Sequence, residues 1–356
     1  MAAKNSSVNT DTKTIETGWT KGPATPSPLP RGGSAPDRDV SSGNPAKSSA
    51  ALPLWGSGVG VVGPPVGRFA PSPTGRMHLG NVYCAVLSWL SARSRGGEWL
   101  LRIEDIDTQR SRREYADQIA DDLHWLGLEW DGFCRQSERS ALYEEALAVL
   151  RPYTYYCQCT RADILASQAP HESDGRVVYA GTCRQAHHNS GALRIRVPDT
   201  DILFTDAHYG PQRVNLAEHC GDFILRRRDG AWAYQLAVVV DDALTGVTEV
   251  VRGRDLLLSA AQQIHLFRLL GQEPPVFCHA PLLLNAAGQR LSKRDASLDM
   301  GHLRQRYTSQ QLLGLIAYLT HCIDKPESIT LDEFLKVFYW SKIPHHDIKT
   351  LPQPLP

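Results

Sequence analysis

The chain has 356 residues, of which 42% are apolar and 21% charged, a composition that suits a globular protein with one large α/β domain or two ordinary ones. Its 38 Lys and Arg balance 38 Asp and Glu, so bulk charge points to neither a nucleic-acid nor a membrane partner. No apolar run approaches about 18 residues, which excludes a transmembrane helix, and eight cysteines are too few for a disulfide-built secreted scaffold. A reduced, cytoplasmic protein is expected.

Residues 1–58 read as a disordered tail. Few large apolar side chains are scattered among Ser, Thr, Gly and Pro, too few to offset the entropy of ordering. Order starts near residue 59, and residues 59–152 form the first half of a larger domain. VGRFA is a short buried strand and PSPTG a turn-rich loop, and a helix opens near His78 and stops at the Gly96-Gly97 pair. EWLLRIEDID is the next strand, followed by an amphipathic helix over residues 112–126 that ends at Gly127. This strand–loop–helix–strand order opens a doubly wound parallel sheet of the α/β class.

Residues 153–207 break the rhythm with Cys, His and polar residues and read as a small insertion. The second half of the larger domain, residues 208–300, has a hairpin turn at Arg228–Gly230 and, preceded by Tyr234, an apolar strand through Val240. Another strand covers residues 248–252, a helix 255–271 and a third strand 277–284. A basic loop follows, and residues 301–356 form a short helical C-terminal segment.

Two motifs suggest phosphate chemistry. The first runs from Arg68 through Phe69, Ala70, Pro71 and Ser72 to His78, Gly80 and Asn81, a strand end, loop and helix N-terminus. Free backbone N–H groups and the positive end of the helix dipole suit an anion there; the same residues would also make an ordinary loop with a capping His. The second is the pentad Arg290-Leu291-Ser292-Lys293-Arg294, which alone is an unremarkable solvated charge run. A third cluster, Cys157, Cys159 and Cys183, supplies three thiolates at metal-ligand spacing. Its fourth ligand is open among His171, His187 and His188.

In this order, the tetrad His78–Asn81 and the pentad Arg290–Arg294 together resemble the two signatures of the class I aminoacyl-tRNA synthetases. RFAPSPTG, LLRIEDID and VVRGRDLL are similar to the glutamyl subgroup. The resemblance spans residues 68–318 and implies a Rossmann-type catalytic domain with a zinc-binding insertion. It implies ATP with Mg2+, L-glutamate and a tRNA as partners, no membrane, and a monomer. His78 and Lys293 would be catalytic. Glutamate would be held by Arg68, Phe69, Ala70, Pro71, Ser72, Glu104, Tyr234 and Arg252, and ATP by His78, Gly80, Asn81 and Lys293. One structural Zn2+ would sit on Cys157, Cys159 and Cys183, with Tyr179 selected as fourth ligand by the family's pattern.

Only 62 residues (356 − 294) follow Arg294, whereas full glutamyl enzymes carry a helical anticodon-binding region there and an independent domain usually needs about 100 residues. The shorter pattern resembles the branch of the family that attaches glutamate to the queuosine base of tRNA(Asp). Two other readings stay open: a minimal enzyme that charges a tRNA 3′ end, and a non-catalytic paralogue that binds RNA or ATP.

Overall fold

The computed structural model describes residues 20–21, 63–166, 178–285, 288–291 and 298–350. Most of the tail, His171 and the Ser292-Lys293-Arg294 part of the basic loop lie outside the described residues. Four strands, β1 (Thr20–Lys21), β2 (Val66–Phe69), β3 (Glu98–Ile103) and β4 (Gly132–Arg135), form a sheet in the order β1-β4-β3-β2. β2, β3 and β4 run parallel, with Arg68 beside Leu100 and Arg102 beside Cys134, while β1 lies antiparallel to β4. Helices α1 (Leu79–Arg93), α2 (Arg113–Trp125) and α3 (Ser140–Leu150) follow the parallel strands in turn.

The expected insertion holds β5 (Thr154–Cys157), α4 (Arg161–Ala166), β6 (Ala192–Ile195) and β7 (Asp201–Asp206), after which come β8 (Gly210–Asn215), α5 (Leu216–His219) and β9 (Ile224–Arg226). β5, β6 and β9 make one antiparallel sheet, so this layer extends past residue 207, and β7–β8 is a separate hairpin.

The remaining elements are α6 (Tyr234–Leu244), β10 (Glu249–Gly253), α7 (Leu257–Leu269), β11 (Val276–Ala280), β12 (Leu283–Leu284), α8 (Met300–Arg306), α9 (Ser309–Leu319), α10 (Leu331–Val337) and β13 (Ile348–Lys349). The parallel pair β10–β11 abuts β2, where Thr248 N–H donates to the Val66 carbonyl and Val66 N–H to Thr248 Oγ1, both at 2.9 Å.

The apolar strand expected after Tyr234 and through Val240 is instead the helix α6, which begins at Tyr234. Every residue from Leu236 to Asp242 is buried. A helix covered on all sides has no polar stripe, so its sequence shows the continuous apolar run of a central strand.

Two apolar clusters flank the sheet. One gathers α1, α2 and the C-terminal helices through Leu87, Leu101, Ile316 and Phe334; the other gathers α3, α6 and α7 through Tyr143, Leu236 and Phe267. Trp99 of β3 is fully buried in the first. Its indole N–H donates to Ser88 Oγ at 3.0 Å, and Ser88 Oγ in turn donates to the Arg68 carbonyl at 2.9 Å, so a core side chain holds the strand end that carries Arg68. Trp99→Ala is expected to cost about 3–5 kcal/mol of stability, measured by denaturant unfolding; a loss below about 1 kcal/mol would mean that this core tolerates the cavity.

Candidate active site

The C-terminal ends of β2, β3 and β10, the loop into α1 and the start of α6 enclose a cavity of about 480 Å3, within the range of small-ligand sites. Arg68, Phe69, Ala70, Pro71, Ser72, His78, Gly80, Asn81, Glu104, Tyr234 and Arg252 all line it. These are the ligand-binding residues expected from the sequence, Lys293 excepted. Of the basic pentad, Arg290 and Leu291 reach the cavity, and Arg290 Nη1 pairs with Asp255 Oδ2 at 2.6 Å.

His78 is the N-cap of α1. Its Nδ1 accepts from Gly80 N–H at 3.1 Å, and Asn81 Oδ1 accepts from His78 N–H at 3.1 Å, which completes a capping box. A neutral ring that accepts at Nδ1 carries its proton at Nε2. A Cβ on Gly80 would meet the His78 ring at 3.0 Å. Glycine here therefore leaves room for the imidazole.

Beneath Arg68 and Glu104, which line the cavity, lies a buried charge network. The Arg102 guanidinium reaches Asp242 at 2.6 Å, Glu104 at 3.2 Å and Asp241 at 3.8 Å. Arg139 Nε donates to Asp241 at 2.6 Å, Gln136 Nε2 at 2.8 Å and the Tyr143 hydroxyl at 3.0 Å. Arg68 Nε lies 3.5 Å from Asp242 Oδ1 and makes no hydrogen bond. Burial raises the Glu104 carboxyl to about 7, while Arg102 and then Arg68 pull it down. Tyr234 is the first residue of a helix, which aims it at the cavity. Asp241, Asp242 and Arg102 were missed in the sequence, although charges inside RIED and VVVDDAL were a visible signal, since such residues are buried only when paired.

The cysteine cluster lies away from this cavity. Cys157, Cys159 and Cys183 place their sulfurs within 4.8 Å of one another. Cys159 and Cys183 are 3.5 Å apart, and the Tyr179 hydroxyl is 3.3 Å from Cys157 Sγ and 3.8 Å from Cys159 Sγ. A tetrahedral ion with sulfur at about 2.3 Å places neighbouring donors roughly 3.5–3.8 Å apart, so these four groups fit a Zn2+. Burial opposes ionisation of Cys183, yet the backbone at Gln158 and the Tyr179 hydroxyl bring it down to about 6. Arg194 lies over the Tyr179 ring, 3.8 Å from its centroid. Among the described residues His187 and His188 lie outside the three-thiol group, although His188 hydrogen-bonds Cys183 and helps to lower its pKa.

A parallel sheet with a capped loop–helix junction and buried Arg and Glu at its strand ends fits a Rossmann-type α/β fold. The chain belongs to the class I tRNA synthetases of the E and Q type: residues 66–351 match that family's catalytic domain. Members of the family are ligases. Among the similar proteins is the glutamyl-Q tRNA(Asp) synthetase of Symbiobacterium thermophilum, 45% identical over 309 residues, or 80% of this chain and 95% of the relative. The protein of the same name from Neisseria meningitidis serogroup C / serotype 2a is 44% identical over 80% of this chain and 99% of its own. Among solved structures, a glutamate tRNA ligase from Elizabethkingia meningosepticum in complex with its amino acid superposes with a TM-score of 0.70. It is 28% identical, over 81% of this chain and 67% of that one. Among the described residues, no helix is long and apolar enough to cross a membrane.

Two outcomes are expected from this geometry. An ammonium partner must be a carboxylate, and Glu104 takes up a proton as pH falls through about 7. The KM for an amino-acid substrate should therefore rise as pH drops, by up to about tenfold per unit below that point. Glu104→Gln should raise KM and flatten the profile, and an unchanged profile in the variant would remove Glu104 from the ammonium site. Metal analysis of reduced protein should give one zinc per chain, lost in Cys157→Ser. A metal-free preparation that remains fully folded would rule the centre out.

Proposed function

We propose that the protein activates L-glutamate with ATP and passes the glutamyl group to the queuosine base of tRNA(Asp). The observation that carries this reading is a cavity that brings the N-terminus of α1 together with buried Arg68, Arg252 and Glu104. A zwitterionic dicarboxylate needs planar, bidentate arginine donors for its carboxylates and an anion for its ammonium. Arg68 and Arg252 would serve the first need and Glu104 the second. Tyr234 and the backbone of residues 68–72 would close round the side chain.

In the first step an oxygen of the glutamate α-carboxylate attacks the α-phosphorus of ATP. The bond to the bridging oxygen breaks, and pyrophosphate leaves with the electron pair. The protein contributes position and charge rather than a covalent intermediate. His78 and Lys293 would stabilise the charge that develops, Gly80 and Asn81 would seat the nucleotide, and Mg2+ would enter with ATP as its counter-ion. In the second step a hydroxyl of the modified base attacks the glutamyl carbonyl and loses its proton, and AMP departs. An anticodon base on a single-stranded loop can be splayed into a pocket of this kind. Zn2+ on Cys157, Cys159, Tyr179 and Cys183 would staple the polar insertion without entering the chemistry.

The choice of acceptor rests on the relatives. Those bearing the glutamyl-Q name reach 43–48% identity, against 28% for the glutamate tRNA ligase structure. Labelled glutamate is expected on queuosine-containing tRNA(Asp) and not on the same tRNA without queuosine, and ATP–pyrophosphate exchange is expected with glutamate and no tRNA. Label at the 3′ adenosine of unmodified tRNA would replace this reading with a minimal charging enzyme. Absence of exchange with every amino acid would point to a binding protein.

A further inference from the structure

Behind the cavity wall a second line of buried polar groups runs away from the substrate side. Arg252, at the C-terminal end of β10, is 5% exposed. Its Nε donates to His279 Nε2 at 3.1 Å, its Nη1 to Gln263 Oε1 at 2.9 Å and its Nη2 to the Leu256 carbonyl at 3.3 Å. His279, in register with Arg252 on β11, is fully buried. Its Nδ1 lies 2.6 Å from Asp206 Oδ2. Asp206 ends β7, is 1% exposed, and accepts from the backbone N–H groups of His208, Tyr209 and His279 as well.

The hydrogen bond from Arg252 selects one tautomer. The Arg252 Nε–H is a donor, so His279 Nε2 must be the acceptor. Nδ1 then carries the proton and donates to Asp206, which has only acceptors to offer when ionised. Burial keeps the imidazole below its ordinary pKa, in keeping with a neutral ring, and Asp206 stays below its ordinary value because His279 and the Tyr209 backbone outweigh its desolvation. A protonated or reversed ring would give up the bond from Arg252 and turn its N–H to the Leu256 carbonyl, which Arg252 Nη2 otherwise uses.

We infer that Asp206 and His279 are positioning residues for the amino-acid site: Asp206 fixes the His279 tautomer, and His279 fixes the plane of the Arg252 guanidinium at the cavity wall. A guanidinium recognises a carboxylate through two parallel bonds, so a rotation of its plane removes one of them. Neither residue reaches the cavity, and neither lies in the signature motifs. The β7–β8 hairpin thus contributes to substrate binding from a part of the chain whose sequence belongs to the insertion. This inference rests on the assignment of Arg252 to glutamate.

Two amides of similar size separate the roles. Gln at 279 can place its oxygen where Nε2 stood, toward Arg252, whereas Asn reaches only the position of Nδ1, toward Asp206. Measured by ATP–pyrophosphate exchange on the full chain, His279→Asn is expected to raise the KM for glutamate about tenfold or more. KM for ATP and kcat should stay within about twofold. His279→Gln should keep the glutamate KM within about threefold of the parent. Should His279→Asn fail to fold, Asp206→Asn carries the same test, because its amide can donate to Nδ1 and force the proton onto Nε2; it is expected to show the same glutamate-only loss. An unchanged glutamate KM in His279→Asn or Asp206→Asn, equal losses in the Asn and Gln variants at 279, or a parallel rise in the KM for ATP would overturn the inference. Absence of exchange in the parent protein would instead strike the proposed function.

Discussion

Arg68, Arg102, Arg139 and Arg252 are among the almost completely buried arginines, and the architecture around the cavity answers to their charge. An unpaired buried ion costs several kcal/mol even after relaxation, so each one demands a partner from another element. Asp241 and Asp242 on α6 answer Arg102, Arg139 and Arg68 from β3, the start of α3 and β2. His279 and Gln263 answer Arg252 from β11 and α7. Compensation of this kind joins β2, β3 and the start of α3 to α6 in one network and β10 to β11 and α7 in another, which leaves little freedom in how the halves of the domain meet.

The same network leaves capacity for a ligand. Arg68 Nε and Asp242 Oδ2 are buried without a hydrogen bond, and Glu104 holds its proton more tightly than an exposed carboxyl. A network fully satisfied by itself would bind nothing. A network with free valences beside a cavity is set to receive charges of both signs, which suits a zwitterion. At the other end of the cavity His78 accepts at Nδ1 to cap α1. The cap and the candidate phosphate contact are therefore two faces of one ring, and its orientation is set by the helix it starts.

Much of this site was legible before folding was considered. The loop–helix junction was read from PSPTG and His78, and Arg68, Glu104, Tyr234 and Arg252 stand where strand ends or an element boundary were expected. The misreading of α6 had a physical cause: its burial on every face erased the 3.6-residue period that distinguishes a helix. Asp206 and His279 were illegible for another reason. They are 73 residues apart in the chain, and no local pattern says that a hairpin tip will deliver a carboxylate to the back of a strand.

What the sequence by itself determined is local: the loop, the cap, the alternation of strands and helices, the cysteine spacing, and the residue types able to hold a dicarboxylate and a nucleotide. These follow from backbone preferences and apolar periods within a few residues of each position. Only the tertiary structure decided which charges pair. It set Asp241 and Asp242 against three arginines and Asp206 behind His279. Pairing energies of buried ions fall off over a few ångströms and depend on exclusion of water, and both are properties of the packed chain alone.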